Sequence, residues 1–316
     1  MGDVATREAG SAGGPAVVAV VGPTAAGKSD LAVRIGSALG GEVVNADSMQ
    51  LYRGMDIGTA KLHLSERRGV PHHLLDVWDV RTAASVAEYQ RLARGVVEAL
   101  RAAGRVPVLT GGSGLYVRSV LDDLRFPGTD PVVRARLEAE WDEQGPAAMH
   151  RRLAEVDPVA AASILPGNGR RVVRALEVVE LTGQPFTATL PGPDPVYRPE
   201  ARIGLAVPRD ALDARIAERV EQMWDAGLVD EVRRLADHAG LREGVTASRA
   251  LGYQQVLAFL EGTISEDEAK AQTARATRAF ARRQEKWFRR DPRVVWLPYD
   301  APDLLERALN VVAQAA

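Results

Sequence analysis

Short apolar runs alternate along this chain with longer segments whose apolar residues recur at helical spacing. The apolar runs predict six buried strands: Val17–Val21, Glu42–Ala46, His73–Val77, Val106–Thr110, Arg202–Val207 and Val294–Leu297. The segments between them predict helices, among them Asp30–Leu39 and Ser85–Ala103. Because strands separated by helices usually form parallel sheets, we expect an α/β fold in which a parallel sheet is flanked by helices on both faces.

One stretch interrupts this alternation, because no strand is predicted between residues 122 and 199. Its predicted elements are the helices Pro131–Gln144, Ala147–Glu155, Pro158–Ile164 and Asn168–Thr182 and the loop Gly183–Arg198. After it, helical patterns cover Asp210–Ala226, Leu228–His238, Thr246–Glu261 and Ser265–Arg290. We therefore predict a helical insertion domain over 122–199, a core formed by 17–121 and 200–316, and a disordered tail over 1–16.

Composition narrows the class of protein. With 316 residues, of which 46% are hydrophobic, the chain can bury one sizeable core and a smaller second domain. The absence of cysteine excludes disulfides, thiolate metal sites and a cysteine nucleophile. The N-terminal residues lack the pattern of a signal peptide, and no apolar run reaches the ~18 residues of a membrane span. We expect a soluble, cytoplasmic, monomeric protein.

A phosphate-binding loop follows the first predicted strand. Residues Gly22-Pro-Thr-Ala-Ala-Gly-Lys-Ser29 fit G-x-x-x-x-G-K-[ST] and lie between a strand and a helix, as this motif requires. Its glycines let the backbone approach a phosphate group, and free N–H groups at the helix start donate to the phosphate oxygens. Lys28 adds positive charge, and the Ser29 hydroxyl is a suitable ligand for Mg²⁺. Kinases, ATPases and enzymes of organic diphosphates all share such a loop.

A carboxylate follows the second predicted strand. In a parallel sheet Asp47 lies at the carboxyl end of its strand, beside the phosphate loop, where open α/β sheets bind ligands. There it can hold Mg²⁺-bound water or accept a proton from a nucleophile. A helix cap or a turn explains an aspartate at this position equally well.

The phosphate loop and the following Asp47-Ser-Met-Gln-Leu-Tyr52 together resemble the tRNA dimethylallyltransferase (tRNA isopentenyltransferase) family. Further matching blocks, in the family's order, are Asp56-Ile-Gly-Thr-Ala-Lys61, Pro71-His-His-Leu-Leu-Asp76, Gly111-Gly-Ser-Gly-Leu-Tyr116, Arg174-Ala-Leu-Glu-Val178, Leu251-Gly-Tyr-Gln254 and Thr277-Arg-Ala-Phe-Ala-Arg-Arg-Gln284. The resemblance extends over residues 17–297. The absence of cysteine matches the bacterial members, because the eukaryotic relatives carry a zinc finger.

This resemblance implies a P-loop NTPase-like fold and transfer of a dimethylallyl group from dimethylallyl diphosphate to N6 of the adenosine 3′ of the anticodon in tRNA. Pyrophosphate is released, and the implied cofactor is Mg²⁺, with Ser29 as its ligand. The implied catalytic residues are Asp47, Thr24 and Arg219, although spacing alone favours a solvated surface arginine at 219. The implied diphosphate-binding residues are Gly22, Pro23, Thr24, Ala25, Ala26, Gly27, Lys28, Ser29 and Arg219.

The charge distribution bears on the tRNA partner. The net charge is −2, yet Lys270–Arg293 contains nine lysine or arginine residues against two acidic residues, a local net charge of +7. Such a face is usually only solvated, but the resemblance implies contacts with the tRNA anticodon stem-loop. The implied tRNA-binding residues are Asp47, Ser48, Met49, Gln50, Ser113, Arg134, Arg170, Arg171, Arg174, Arg278 and Arg282. Tyr52, Tyr116 and Tyr253 are candidates for stacking on displaced bases, although core packing is the commoner fate of such tyrosines.

Two other functions are compatible with parts of the sequence. A P-loop kinase of a small metabolite or nucleotide would explain the loop and Mg²⁺, but not the helical insertion or the positive charge of Lys270–Arg293. An RNA-binding regulator that uses the loop as a nucleotide switch would not need Asp47 and Arg219.

Overall fold

The computed structural model describes residues 14–186 and 194–315. Its contacts divide the chain into two compact units. The first, here called the core unit, contains the described residues up to Leu121 and from Pro195 onward. The second, here called the helical unit, is Asp122–Asp194.

The core unit contains a six-stranded parallel sheet, which confirms the predicted fold class. The strands are β1 (Val17–Val21), β2 (Glu42–Asn45), β3 (His72–His73), β4 (Pro107–Gly111), β5 (Glu200–Ala206) and β6 (Val294–Pro298). Their order across the sheet is β3-β2-β4-β1-β5-β6. The carboxyl ends of β2, β4 and β1 therefore meet at one edge, with β4 between the other two strands.

Eleven α-helices occur among the described residues. They are α1 (Lys28–Leu39), α2 (Val86–Ala102), α3 (Gly114–Leu121), α4 (Pro131–Val156), α5 (Pro158–Ser163), α6 (Gly169–Thr182), α7 (Arg209–Asp225), α8 (Leu228–His238), α9 (Tyr253–Leu260), α10 (Glu266–Phe288) and α11 (Leu304–Ala315). Short 3₁₀ turns occur at Leu64–Arg67, Leu241–Glu243 and Ala247–Arg249.

The two faces of the sheet carry separate apolar cores, because successive side chains of a strand point to opposite faces. Val18 and Val20 of β1 pack with α1 and α11 on one face. Ala19 and Val21 face the other side, where buried residues of α2, α3 and α7–α10 complete the core. Helices therefore cover both faces, as the apolar strands predict.

Three predictions about the elements were wrong or incomplete. The strand predicted at His73–Val77 is only His72–His73, because Leu74 and Asp76 adopt left-handed backbone conformations with φ of 61° and 58°. The helix predicted at Thr246–Glu261 begins only at Tyr253, since Gly252 has φ of 87° and interrupts it. Helices α3 and α11 were not predicted.

The helical unit packs α4, α5 and α6 around its own apolar core, which includes Leu137, Met149 and Leu176. The predicted break between Gln144 and Ala147 is confirmed, because α4 loses helical geometry at Gly145, where φ is 80°.

The predicted tail and the predicted loop fall partly outside the described residues, over 1–13 and 187–193. Within the described part, Arg101 donates to the carbonyls of Pro15 and Gly14 at 3.0 and 3.3 Å, which holds the chain before β1. No helix in the described part of the chain is both long enough and apolar enough to cross a membrane.

Candidate active site

The phosphate loop connects β1 to α1 in a wide turn. Gly22 and Gly27 have φ of 135° and 97°, conformations that side chains disfavour, and Ala25 has φ of 62°. Gly27 caps α1 without any side-chain hydrogen bond, so no side chain occupies the first N–H groups of the helix. Unsatisfied N–H groups and the positive end of the helix dipole favour an anion here.

Lys28 is folded back over this loop. Its ammonium donates to the carbonyl oxygen of Pro23 at 2.6 Å. Burial lowers the pKa of Lys28 to about 8, the carboxylate of Asp47 opposes this shift, and the guanidinium of Arg219 adds to it. The ammonium is therefore the main form of Lys28 at neutral pH and loses its charge as the pH rises through about 8.

Two arginines of α7 reach the loop. The Arg219 guanidinium donates to the Thr24 hydroxyl at 3.1 Å, and Arg215 Nε donates to the Ala25 carbonyl at 2.7 Å. They are four residues apart and share one helix face. Burial lowers the pKa of Arg219, while Asp47 raises it. Arg219 thus lies at the loop and is not a solvated surface residue.

Asp47 leaves β2 in a tight turn held by Asn45, which is 3% exposed. The Asn45 side chain accepts from the Asp47 N–H at 2.9 Å and donates to the carbonyls of Asp47 and Leu74, both at 3.0 Å. Asp47 Oδ1 accepts from the Met49 N–H at 2.9 Å. Among the described residues, none hydrogen-bonds to Asp47 Oδ2, which remains available for a substrate.

The glycine-rich end of β4 separates Asp47 from the phosphate loop. A Cβ atom at Gly111 would lie 2.3 Å from the Ala46 carbonyl, and one at Gly112 would lie 3.4 Å from the Gly22 oxygen. A side chain at Gly111 would therefore clash with the backbone that leaves β2, whereas the Gly22 oxygen lies at ordinary contact distance. The Ser113 hydroxyl follows this turn. Its Oγ accepts from the Ser48 N–H at 3.3 Å and lies 3.3 Å from the Ser48 Oγ.

Gln284 of α10 is a site residue to which sequence reasoning assigned no role. Its side chain is 5% exposed. Its Oε1 accepts from the Thr24 N–H at 2.8 Å, and its Nε2 donates to the Gly112 carbonyl at 3.0 Å. The only sequence signal was its position in a block that resembles the family, because no local pattern predicts a contact across 260 residues.

Gln50 takes its orientation from the loop Met55–Lys61. Its Nε2 donates to the Thr59 carbonyl at 3.0 Å, and no donor among the described residues bonds to its Oε1, which can accept a hydrogen bond. The buried Glu231 carboxylate accepts from the N–H groups of Asp56 and Ile57 at 3.0 and 2.9 Å. The Asp56–Lys61 block, which had no role in the sequence reasoning, thus supports the Asp47–Gln50 turn.

The lysine and arginine residues of Lys270–Arg293, a segment that includes most of α10 and the residues after it, include two sets that differ in their pairing. Lys270, Arg275, Arg289 and Arg293 form ion pairs with acidic residues. Arg278, Arg282 and Lys286 recur every four residues along one face, and none of the described acidic residues pairs with them. The Nε atom of Arg278 is buried without a partner among the described residues.

The candidate arginines of the helical unit also differ from one another. Arg134 and Arg174 both pair with the buried Glu177, so part of their charge is neutralised within the unit. Arg170 and Arg171 are exposed at the start of α6.

The three tyrosines considered for base stacking are wrong candidates. Tyr52 and Tyr253 are fully buried, and Tyr116 is 7% exposed, so all three belong to the apolar core.

Ser29 is the second residue of α1, and among the described residues none hydrogen-bonds to its hydroxyl. Over residues 14–186 and 194–315, no group of three or more His, Cys, Asp or Glu side chains is arranged to hold a metal ion.

A parallel sheet with its phosphate loop between β1 and α1 defines the class: a P-loop NTPase-like fold. The chain belongs to the IPP transferase family, whose model matches residues 50–291. A tRNA dimethylallyltransferase of Thermobifida fusca is 68% identical over 304 residues, which cover 94% of each chain. One of Streptomyces griseus is 66% identical over 307 residues, covering 96% of this chain and 98% of the relative. Among solved structures, the chain is similar to a tRNA isopentenylpyrophosphate transferase from Bacillus halodurans, with a TM-score of 0.70. The two sequences are 40% identical, and the match covers 95% of this chain and 96% of the other.

Inorganic pyrophosphate is expected to bind less tightly as the pH rises through about 8, because the Lys28 ammonium loses its charge there. Loss of a single proton lowers affinity by at most about tenfold for each pH unit above this pKa, so we expect a fall of up to about tenfold. Calorimetric titration from neutral pH to one unit above this pKa measures the effect. Lys28→Met is the control for ionisation of pyrophosphate itself, and an identical pH dependence in that variant would contradict the prediction.

Proposed function

We propose that this protein transfers a dimethylallyl group from dimethylallyl diphosphate to N6 of the adenosine 3′ of the anticodon in tRNA, with release of pyrophosphate. The observation that carries this proposal is that Arg219 of α7 donates to Thr24 of the phosphate loop at 3.1 Å, while the nearby Asp47 carboxylate raises the pKa of both Arg219 and Lys28. The relatives named tRNA dimethylallyltransferase support the same reaction. We also propose that the protein acts as a monomer in the cytoplasm.

The cationic loop stabilises the leaving group. Pyrophosphate concentrates negative charge as it departs, and preorganised donors stabilise that charge most in a site that excludes water. The loop N–H groups, Lys28 and Arg219 are such donors. The Thr24 hydroxyl, oriented by its hydrogen bond from Arg219, contacts the diphosphate.

Asp47 acts on the nucleophile. The exocyclic amine of adenine is weakly nucleophilic because its lone pair is delocalised into the ring. It must lose a proton as the C–N bond forms, and a carboxylate within hydrogen-bond reach accepts that proton. The bond from Met49 to Oδ1 orients the carboxylate and leaves Oδ2 for the amine.

The donor set at the loop fits Mg²⁺, for which Ser29 would be a ligand. In phosphate sites this ion takes one or two protein oxygens and completes its shell with phosphate and water, so a larger cluster of carboxylates is not required. When bound, Mg²⁺ neutralises part of the diphosphate charge.

Several surfaces of the protein suit the tRNA. The target base must leave the anticodon stack to reach Asp47. Beside Asp47, the free Oε1 of Gln50 accepts from a donor on an unstacked base edge, while Ser48, Met49 and Ser113 line the approach. Arg278 and Arg282 contact backbone phosphates, as do Arg170 and Arg171. Arg134 and Arg174 contribute less charge, since Glu177 pairs with both.

Incubation with dimethylallyl diphosphate and unmodified tRNA, followed by nucleoside mass analysis, tests the proposal. We expect a mass gain confined to adenosine and a stoichiometric release of pyrophosphate. Turnover of ATP with a small acceptor, in the absence of RNA, would instead support the kinase alternative, and tRNA binding without pyrophosphate release would support the regulator.

Asp47→Asn is expected to lower the turnover number by ~10²-fold or more, because the amide cannot accept the proton. The variant keeps an acceptor for the Met49 N–H, so affinity for both substrates should remain within about threefold. Single-turnover kinetics and equilibrium binding measure the two effects. The control is Asp230→Asn, an exposed carboxylate on α8. Turnover of Asp47→Asn equal to that of the control would refute the proton-acceptor role.

Arg282→Gln is expected to weaken tRNA binding and to reduce the slope of log affinity against log salt by about one, as for one lost phosphate contact. Filter binding over a salt series measures that slope. Arg307→Gln is the matched control, because Arg307 lies on α11 and pairs with Asp303 at 2.8 Å. Equal slopes for the two variants would remove Arg282 from the tRNA interface.

A further inference from the structure

We propose that Gln284 is a positioning residue that fixes the phosphate loop relative to the Asp47 turn, so that the leaving group and the proton acceptor are aligned on one substrate. This inference rests on the proposed function. Gln284 itself contacts two backbone groups of the protein and need not touch the substrate.

Each end of the Gln284 amide is hydrogen-bonded to a different backbone group. Its carbonyl end accepts from the Thr24 N–H and its amino end donates to the Gly112 oxygen, and the side chain is 5% exposed. Only a primary amide of this length supplies an acceptor and a donor in those two directions. An apolar replacement would leave both backbone groups unpaired, and a carboxylate would oppose the Gly112 oxygen.

Each partner of the amide leads to a different half of the site. On one side, the Thr24 hydroxyl is hydrogen-bonded to Arg219, within the diphosphate half. On the other side, Gly112 precedes Ser113, whose hydroxyl lies 3.3 Å from the Ser48 N–H, next to Asp47. Through these hydrogen bonds, and the short backbone segments between them, Gln284 connects the phosphate loop to the residues next to Asp47.

The side chains of Gln284 and Trp287 pack so closely against two glycines that neither glycine could carry a side chain. A Cβ atom at Gly112 would lie 2.1 Å from Gln284 Nε2, and one at Gly114 would lie 2.1 Å from the ring of Trp287, one turn further along α10. Helix α10 thus packs directly against the backbone of Gly112–Gly114. Since rates depend steeply on the alignment of reacting groups, loosening this link should lower kcat more than it changes substrate affinity.

The first test compares Gln284→Met with Gln255→Met. Gln255 is equally buried, at 5% exposure, and its Oε1 also accepts a backbone N–H, that of Gly252 at 2.9 Å. We expect Gln284→Met to lower kcat for prenyl transfer by about tenfold or more, with each KM changed less than about threefold. Gln255→Met should lower Tm and keep kcat per folded enzyme. Equal kcat in the two variants, after correction for the folded fraction, would overturn the inference.

The second test uses the pH profile of Gln284→Glu. A protonated carboxyl group restores the donor to the Gly112 oxygen, whereas the carboxylate repels it, and burial raises the pKa of such a group. The ratio of variant kcat to wild-type kcat should therefore rise as the pH is lowered. A ratio that does not change with pH would overturn the inference, whereas absence of prenyl transfer by the wild type would refute the proposed function itself.

Discussion

The candidate site depends on how closely three backbones approach one another at the carboxyl edge of the sheet. Strand β4 lies between β2 and β1, and its end meets the backbone that leaves β2. A Cβ atom at Gly111 would lie 2.3 Å from the Ala46 carbonyl group, and one at Gly112, the next residue, would lie 2.1 Å from Gln284 Nε2. Glycine at both positions therefore lets the Asp47 turn and α10 pack against the end of β4.

The electrostatic state of the site follows from this close approach. Burial lowers the pKa values of both Lys28 and Arg219, so the site holds cations that water stabilises poorly. The nearby carboxylate of Asp47 offsets part of that cost. A bound diphosphate would supply the remaining negative charge, and the donors would already point at it, which is the arrangement that favours departure of pyrophosphate over its mere binding.

Much of the fold could be predicted because its determinants are local. Apolar runs identified β1, β2, β4, β5 and β6, and the phosphate loop follows from eight consecutive residues. The length of β3 could not be predicted, because positive φ at Leu74 and Asp76 reflects tertiary contacts of non-glycine residues. At Gly252 the sequence offers a signal against a continuous helix, since glycine disfavours a helix interior.

The site was predictable only where a motif names its residues. The positions of Lys28, Ser29 and Asp47 follow from the loop and from the end of a strand. Gln284 and Glu231 act through contacts with residues far away in the sequence, and no periodicity indicates such contacts. The burial of Tyr52 and the pairing of Arg134 with Glu177 likewise depend on tertiary packing.

The most direct test of the central claim is a crystal structure of the protein with inorganic pyrophosphate. We predict pyrophosphate within the Gly22–Ser29 loop, at hydrogen-bond distance from the Lys28 ammonium and the Arg219 guanidinium, with the Asp47 carboxylate turned toward the same opening. Pyrophosphate bound elsewhere, or an Asp47 carboxylate turned away from that opening, would contradict it.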